Sequence, residues 1–180
     1  MKFIGGKIPG VILIEPAVLG DDRGFFLETY RKDLFEQNGL RADFIQDNHS
    51  RSSKGVLRGL HYQVAPKEQA KLVRVVKGEA FDVVLDIRAG SKTFGRWEGH
   101  VLSAENKKIL FVPAGFAHGF LALEDDTEFI YKVSEVYSPS HERGILWNDP
   151  DVGISWPKPN RPYILSDKDQ KFPLLKDLKV

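Results

Sequence analysis

Cysteine is absent from the 180 residues, and methionine occurs once. Without thiols there is neither a disulfide framework nor a thiolate metal site. Long apolar runs are missing too: the early stretch VILI at 11–14 is far too short to cross a bilayer. With no leader-like segment either, the expectation is a cytoplasmic protein that does not enter a membrane. Charge of one sign is lacking as well, because 26 Lys and Arg stand against 25 Asp and Glu, for a net charge of +1. The broad positive field of nonspecific nucleic-acid binding is therefore not expected, although a local anion site stays possible.

What is present is a succession of short Val-, Ile-, Leu- and Phe-rich segments punctuated by Gly, Pro and charged pairs. KLVRVVKG (71–78) reads as a strand leading through a Lys-Gly turn into EAFDVVLDIR (79–88), and the two together as a hairpin. In the second segment Phe81, Val83, Leu85 and Ile87 share one face, and Asp82 and Asp86 the other. GHVLSA (99–104), KKILFV (107–112), GFLALE (119–124) and EFIYKVSEVY (128–137) are further strand candidates. Helix is scarce: RKDLFEQNG (31–39), stopped by Gly39, and a short turn near 167–171. Residues 148–173 carry five prolines and read as extended coil wrapping the rest. The length suits one domain spanning 1–180, and the strand spacing predicts an all-β, double-sheet jelly-roll barrel with few short helices.

GVLRGLHYQ (55–63) sets Arg58 and His61 beside glycine, and PAGFAH (113–118) places His118 after a Pro-x-Gly turn. A lone histidine in a strand-rich chain is as often structural as functional. Here Gly59 permits close approach of a backbone or a ligand, and Lys71 opens an otherwise apolar strand. Basic groups against low-dielectric walls attract an anionic small molecule. The two segments resemble the motifs of the cupin superfamily, whose metal-binding members carry His-x-His followed by Glu. Here the first motif reads His61-Tyr62-Gln63, with Glu68 farther on. A metal held by His61, Gln63, Glu68 and His118 therefore becomes the less favoured alternative.

RGLHYQ (58–63), KLVRVVKGEAFDVVLDIR (71–88), VPAGFAHGF (112–120), YKVSEVYSPSHERGILWNDP (131–150) and LSDKD (165–169), in this order, closely resemble the dTDP-4-dehydrorhamnose 3,5-epimerase family. DDRGFFLETY (21–30) and IQDNHSRSSKGVLRG (45–59) resemble it too. The resemblance implies a cupin-like fold, no metal and no other cofactor, a dTDP-4-keto-6-deoxyhexose as substrate, and a homodimer. It implies inversion of C3 and C5, each next to the C4 ketone, through an enolate. By the same resemblance His61 is the base, Asp169 its orienting carboxylate, Tyr131 the acid, and Lys71 the cation near the enolate. An imidazole titrates near neutrality and can take a carbon-bound proton; a phenol, with a pKa of about 10, keeps one to return. Arg23, Glu28, Gln46, Asn48, Arg58, His118, Glu142 and Lys168 match positions that contact the nucleotide sugar. Arg23, Arg58 and Lys168 suit a diphosphate, and Phe25 or Tyr137 could stack on a flat ring. The N-terminal DDRGFFLE segment is expected to reach a partner's cleft. A sugar-nucleotide binding module without turnover would keep the basic shell but would not require His61, Tyr131 and Asp169 together.

Overall fold

Residues 1–178 are described by the computed structural model. In chain order the strands are β1 (Lys2–Gly5), β2 (Ile12–Glu15), β3 (Val18–Asp21), β4 (Gly24–Leu27), β5 (Gln46–Ser52), β6 (Leu57–Gln63), β7 (Lys71–Lys77) and β8 (Glu79–Asp86). They continue as β9 (Trp97–Ser103), β10 (Ile109–Val112), β11 (Phe116–Ala122), β12 (Thr127–Val133) and β13 (Glu142–Gly144). The helix α1 is Lys32–Gln37, and two 3-10 turns cover Asp169–Lys171 and Leu175–Asp177. Gly39, at φ +81, follows the helix in the left-handed conformation that ends it.

The sheets correct two expectations. β7 and β8 do not form a hairpin: β7 pairs with β10 and β12, whereas β8 pairs with β9 and β11. Gly78, at φ +73, carries the chain from one sheet to the other as an arch. Both strands are largely buried, so each has a sheet of neighbours on its own level and cannot pair with the next segment in sequence.

Nor is there a closed barrel. Six strands run in the order β1-β2-β10-β7-β12-β5 and five in the order β13-β6-β11-β8-β9, with β3 and β4 forming a separate hairpin. No strand among the described residues joins the two large sheets in a ladder, so each keeps two edges. Side chains span the gap between edges β5 and β13 instead. The Tyr137 N–H donates to Gln46 Oε1 at 3.0 Å, and the Tyr137 hydroxyl to Glu142 Oε2 at 3.0 Å.

Alternation divides the apolar side chains among three layers. Val73, Val75, Leu110 and Phe129 meet Val84, Leu102, Phe116 and Phe120 between the sheets. Val83, Leu85 and Leu121, on the far face of the five-stranded sheet, are covered by Trp156, Val152 and Leu175 of the C-terminal segment. Leu72, Ile109 and Phe111, on the far face of the six-stranded sheet, lie under Phe35 of α1 and Leu40. The apolar face read from Phe81, Val83 and Leu85 thus packs on the C-terminal segment, while Asp82 points between the sheets. No helix among the described residues is long and apolar enough to cross a membrane.

Candidate active site

Two residues three apart on a regular strand face opposite ways, yet Arg58 and His61 line the same cavity. The reason is a bulge in β6. His61 lies opposite His118 and Arg58 opposite Phe120, so three steps along β6 match two along β11. Gly59, at φ +133, absorbs the extra residue; a Cβ there would lie 2.6 Å from the Gly119 Cα. The close approach expected at this glycine is therefore to the neighbouring strand rather than to a ligand.

His61 Nε2 stands 2.7 Å from Asp169 Oδ1, although 108 positions separate the two. The other carboxylate oxygen accepts the Gly59 N–H at 3.4 Å, and the Asp169 N–H donates to Ser166 Oγ at 3.2 Å. Burial works to raise the Asp169 pKa, but the His61 hydrogen bond and charge and the Gly59 N–H outweigh it and hold the group below the usual carboxylate value. The Phe172 ring meets the imidazole edge-on at 5.6 Å. It fits there because residue 144, opposite His61, is a glycine: a Cβ would lie 2.3 Å from that ring. With Nε2 engaged, Nδ1 is the nitrogen left to exchange a proton.

Tyr131 and Lys71 come from the other sheet, on β12 and β7, and face the histidine across a cavity of about 640 Å³. Burial is the main cause that raises the Tyr131 pKa; Arg58 opposes it, and Glu142 and Tyr137 add to it, so the phenol keeps its proton. Lys71 is 9% exposed, and burial lowers its pKa to about 8 against the opposing charges of Asp82 and Glu142. An adjoining cavity of about 300 Å³ shares His61, Lys71 and Tyr131 as its wall. An imidazole, a phenol and an ammonium thus converge where two compartments meet.

The remaining residues named from the sequence divide by compartment. Arg58, His118 and Lys168 line the larger cavity; Gln46, Asn48, Tyr137 and Glu142 line the smaller. Arg58 is braced by its Nε–H on Ser52 Oγ at 3.1 Å, and Lys168 by Glu142 at 2.8 and 2.9 Å. Glu142 is raised by burial but brought below its usual value by Lys168 and Tyr137. Arg23, Phe25 and Glu28 lie elsewhere. Arg23 and Phe25 sit on the β3–β4 hairpin, with Arg23 bound to Asp21 and Phe25 63% exposed, and Glu28 pairs with Arg31 at 3.6 Å.

Residues that sequence reasoning passed over also line the larger cavity, among them Phe120, Phe129, Ser166 and Ser50. The Ser50 Oγ is the one buried side-chain polar atom among the described residues with no hydrogen-bond partner. The signal that could have found it is the alternation Gln46, Asn48, Ser50, Ser52 in QDNHSRS, a polar inward face that hydrophobic periodicity cannot detect. The donors of the alternative metal reading have other partners. Gln63 donates its Nε2–H to Lys67 O and Val136 O and accepts the Ser138 N–H on Oε1, His61 and His118 each turn Nε2 to a carboxylate, and Glu68 is exposed. No group of three or more His, Asp or Glu poised for a metal occurs among the described residues.

Comparison with known proteins gives a consistent picture. The family model described as dTDP-4-dehydrorhamnose 3,5-epimerase matches residues 6–177. The dTDP-4-dehydrorhamnose 3,5-epimerase of Shigella flexneri is 55% identical over 176 residues, covering 96% of each chain. The dTDP-6-deoxy-D-glucose-3,5-epimerase of Legionella pneumophila, solved in complex with dTDP-4-keto-L-rhamnose, superposes with a TM-score of 0.95 at 46% identity, covering 99% of this chain and 94% of that one. A 3'-monoepimerase from Streptomyces bikiniensis, solved with dTDP-quinovose, gives a TM-score of 0.89 at 38% identity, covering 96% and 87%.

Proposed function

The chain belongs to the dTDP-4-dehydrorhamnose 3,5-epimerase family, and from that premise we propose that it inverts C3 and C5 of dTDP-4-dehydro-6-deoxy-D-glucose to give dTDP-4-dehydro-β-L-rhamnose, in dTDP-L-rhamnose biosynthesis. The observation that carries the mechanism is His61 of one sheet, paired with Asp169 of the C-terminal segment, facing Tyr131 of the other sheet across one cavity. His61 takes the proton from a carbon beside the C4 ketone, and the electron pair moves to the ketone oxygen as an enolate. Tyr131 returns a proton to the same carbon from the opposite face, so configuration changes while oxidation state does not. The phenolate and the imidazolium then exchange protons with solvent to reset the site. Lys71 holds charge at the enolate oxygen, where a cation in a desolvated cleft has most effect.

The other shell residues hold the nucleotide sugar. Arg58 and Lys168 suit its diphosphate, and Gln46, Asn48, Glu142, His118 and the ring of Tyr137 suit its sugars and base. Arg23, Phe25 and Glu28 act in the site of a second copy of the chain in a homodimer; the exposure of the β3–β4 hairpin and of Glu28 just after it supports this assignment. The chain acts as one domain in the cytoplasm, with no nucleic acid, membrane or cofactor in the reaction.

The test is turnover of the 4-keto-6-deoxy nucleotide sugar in deuterated water, with label followed by mass spectrometry and stereochemistry by proton NMR. Deuterium at both C3 and C5 is expected. Label at C3 alone would replace the double inversion by a single one, and no label would remove the epimerase reading. Tyr131→Phe should retain exchange while inversion falls by about 10²-fold or more; inversion at the wild-type rate would refute the two-sided mechanism.

A further inference from the structure

Among the buried carboxylates to which the mechanism above gives no task, one holds a histidine of the site. Asp82, on β8, is fully buried, and both its oxygens lie on His118 Nε2, at 2.8 and 3.0 Å. His118 is the direct cross-strand neighbour of His61. The inner face of the five-stranded sheet thus carries two histidines side by side, each with Nε2 on a carboxylate: His61 on Asp169 from the C-terminal segment, His118 on Asp82 from the adjacent strand. The His118 Nδ1 has no partner among the described residues, yet it is not among the occluded unpaired atoms, so it opens on the cavity that its side chain lines. The Lys71 ammonium is in the same condition, with no ion pair within hydrogen-bond reach among the described residues.

We propose that Asp82 is a positioning residue for the epimerisation: it holds His118 by Nε2 so that Nδ1 meets the substrate, and it supplies the fixed negative charge that keeps Lys71 cationic beside the developing enolate. The proposal rests on the epimerase reading and adds to it a residue that cannot touch the substrate. A carboxylate accepting the Nε2–H fixes both the ring orientation and the nitrogen that is presented, the constraint that outer carboxylates impose on working imidazoles generally. The charge argument is independent of the ring. Lys71 shares its two cavities with Arg58, His61 and Tyr62 from β6, His118 from β11, Tyr131 from β12, Tyr137, Glu142 from β13, and Lys168 and Asp169 from the C-terminal segment, and Asp82 from β8 acts on it through its charge. Of these, Asp82 gives the largest support to its charge and Glu142 the next, while burial pulls the pKa down to about 8. Glu142 is already shared with Lys168 and Tyr137, whereas Asp82 is held by His118 alone among the described residues, so its field at Lys71 is the less screened.

The sign follows directly. If catalysis needs the ammonium, the wild-type rate falls as pH rises through about 8. Removing the Asp82 charge lowers the Lys71 pKa further and moves that alkaline limb to lower pH. Asp82→Asn keeps the size of the side chain, and it should shift the limb of kcat by about one pH unit. It should also lower kcat at pH 7.5 by about 10-fold or more, with KM changed less than about threefold. A merely structural carboxylate would alter the melting temperature and leave the limb in place. On the unmodified protein, nitrogen-15 NMR of labelled histidine reads the second half of the proposal with no variant and no substrate: His118 should show its slowly exchanging, downfield ring proton on Nε2. A proton on Nδ1 alone, or an Asp82→Asn enzyme with an unmoved alkaline limb and wild-type kcat, would overturn the proposal. Inactive wild-type protein would instead sink the epimerase reading, an outcome distinct from an active enzyme indifferent to Asp82.

Discussion

Lys71 shows at the scale of one residue how the site opposes the fold. An ammonium brought among apolar walls, with its pKa lowered from an ordinary 10.5 to about 8, is less welcome in the folded chain than in the unfolded one. The linkage works against stability below about pH 8, where both states are charged, and the penalty is relieved as pH rises from there toward 10.5. Lys71→Met should therefore stabilise the protein at pH 7 by about 1 to 3 kcal/mol while activity falls by at least about 10²-fold. Denaturant melts beside kinetics check both halves, and a destabilised variant would show that the ammonium is better accommodated than its burial implies. Asp169 runs the other way. Its lowered pKa adds stability above the unfolded value of about 3.9, lost as pH falls through the folded one.

At the scale of the element, the bulge in β6 decides what the sequence could disclose. Strict alternation puts Arg58 and His61 on opposite faces, and only the register with β11 reveals that they share one. Gly59→Ala should cost about 2 kcal/mol or more, since the residue would need a left-handed backbone and its methyl would meet Gly119. Thermal melts measure this loss, and kcat should fall with it because His61 turns from the cavity; an alanine variant of wild-type stability would refute the account. Apolar alternation did disclose the faces of β8 and the existence of β7, β9, β10, β11 and β12, to within a few residues at their ends. It could not disclose β5, whose QDNHSRS is wholly polar, or the partners of β7 and β8, because pairing is a relation between distant segments. The His61–Asp169 contact was reached through resemblance, for nothing in local spacing links positions 108 apart.

For the whole molecule, the strand-rich, two-sheet character was legible, while the number of strands and closure were not. Whether two sheets join is settled at their edges, and here β5 and β13 are bridged by Tyr137 side-chain and loop contacts rather than by a ladder. The gap is useful, for the smaller cavity opens there among Gln46, Asn48 and Glu142. On the outside, the β3–β4 hairpin leaves Leu19, Phe25 and Phe26 each more than 60% exposed, an apolar surface that a second copy would cover. Light scattering should give a mass near twice 20.4 kDa, and Phe26→Asp should dissociate the pair and depress kcat/KM; fully active protein at 20.4 kDa would refute the dimer.

The distance along the chain between His61 and its carboxylate also orders events during synthesis. All thirteen strands are complete by Gly144, whereas Asp169 and Lys168 come later. A polypeptide interrupted between these points holds every strand and still lacks the carboxylate that orients His61. Incomplete translation products would thus carry His61 without its orienting partner, and on the proposed mechanism reactivity is conferred only after the strands that must contain it have been made.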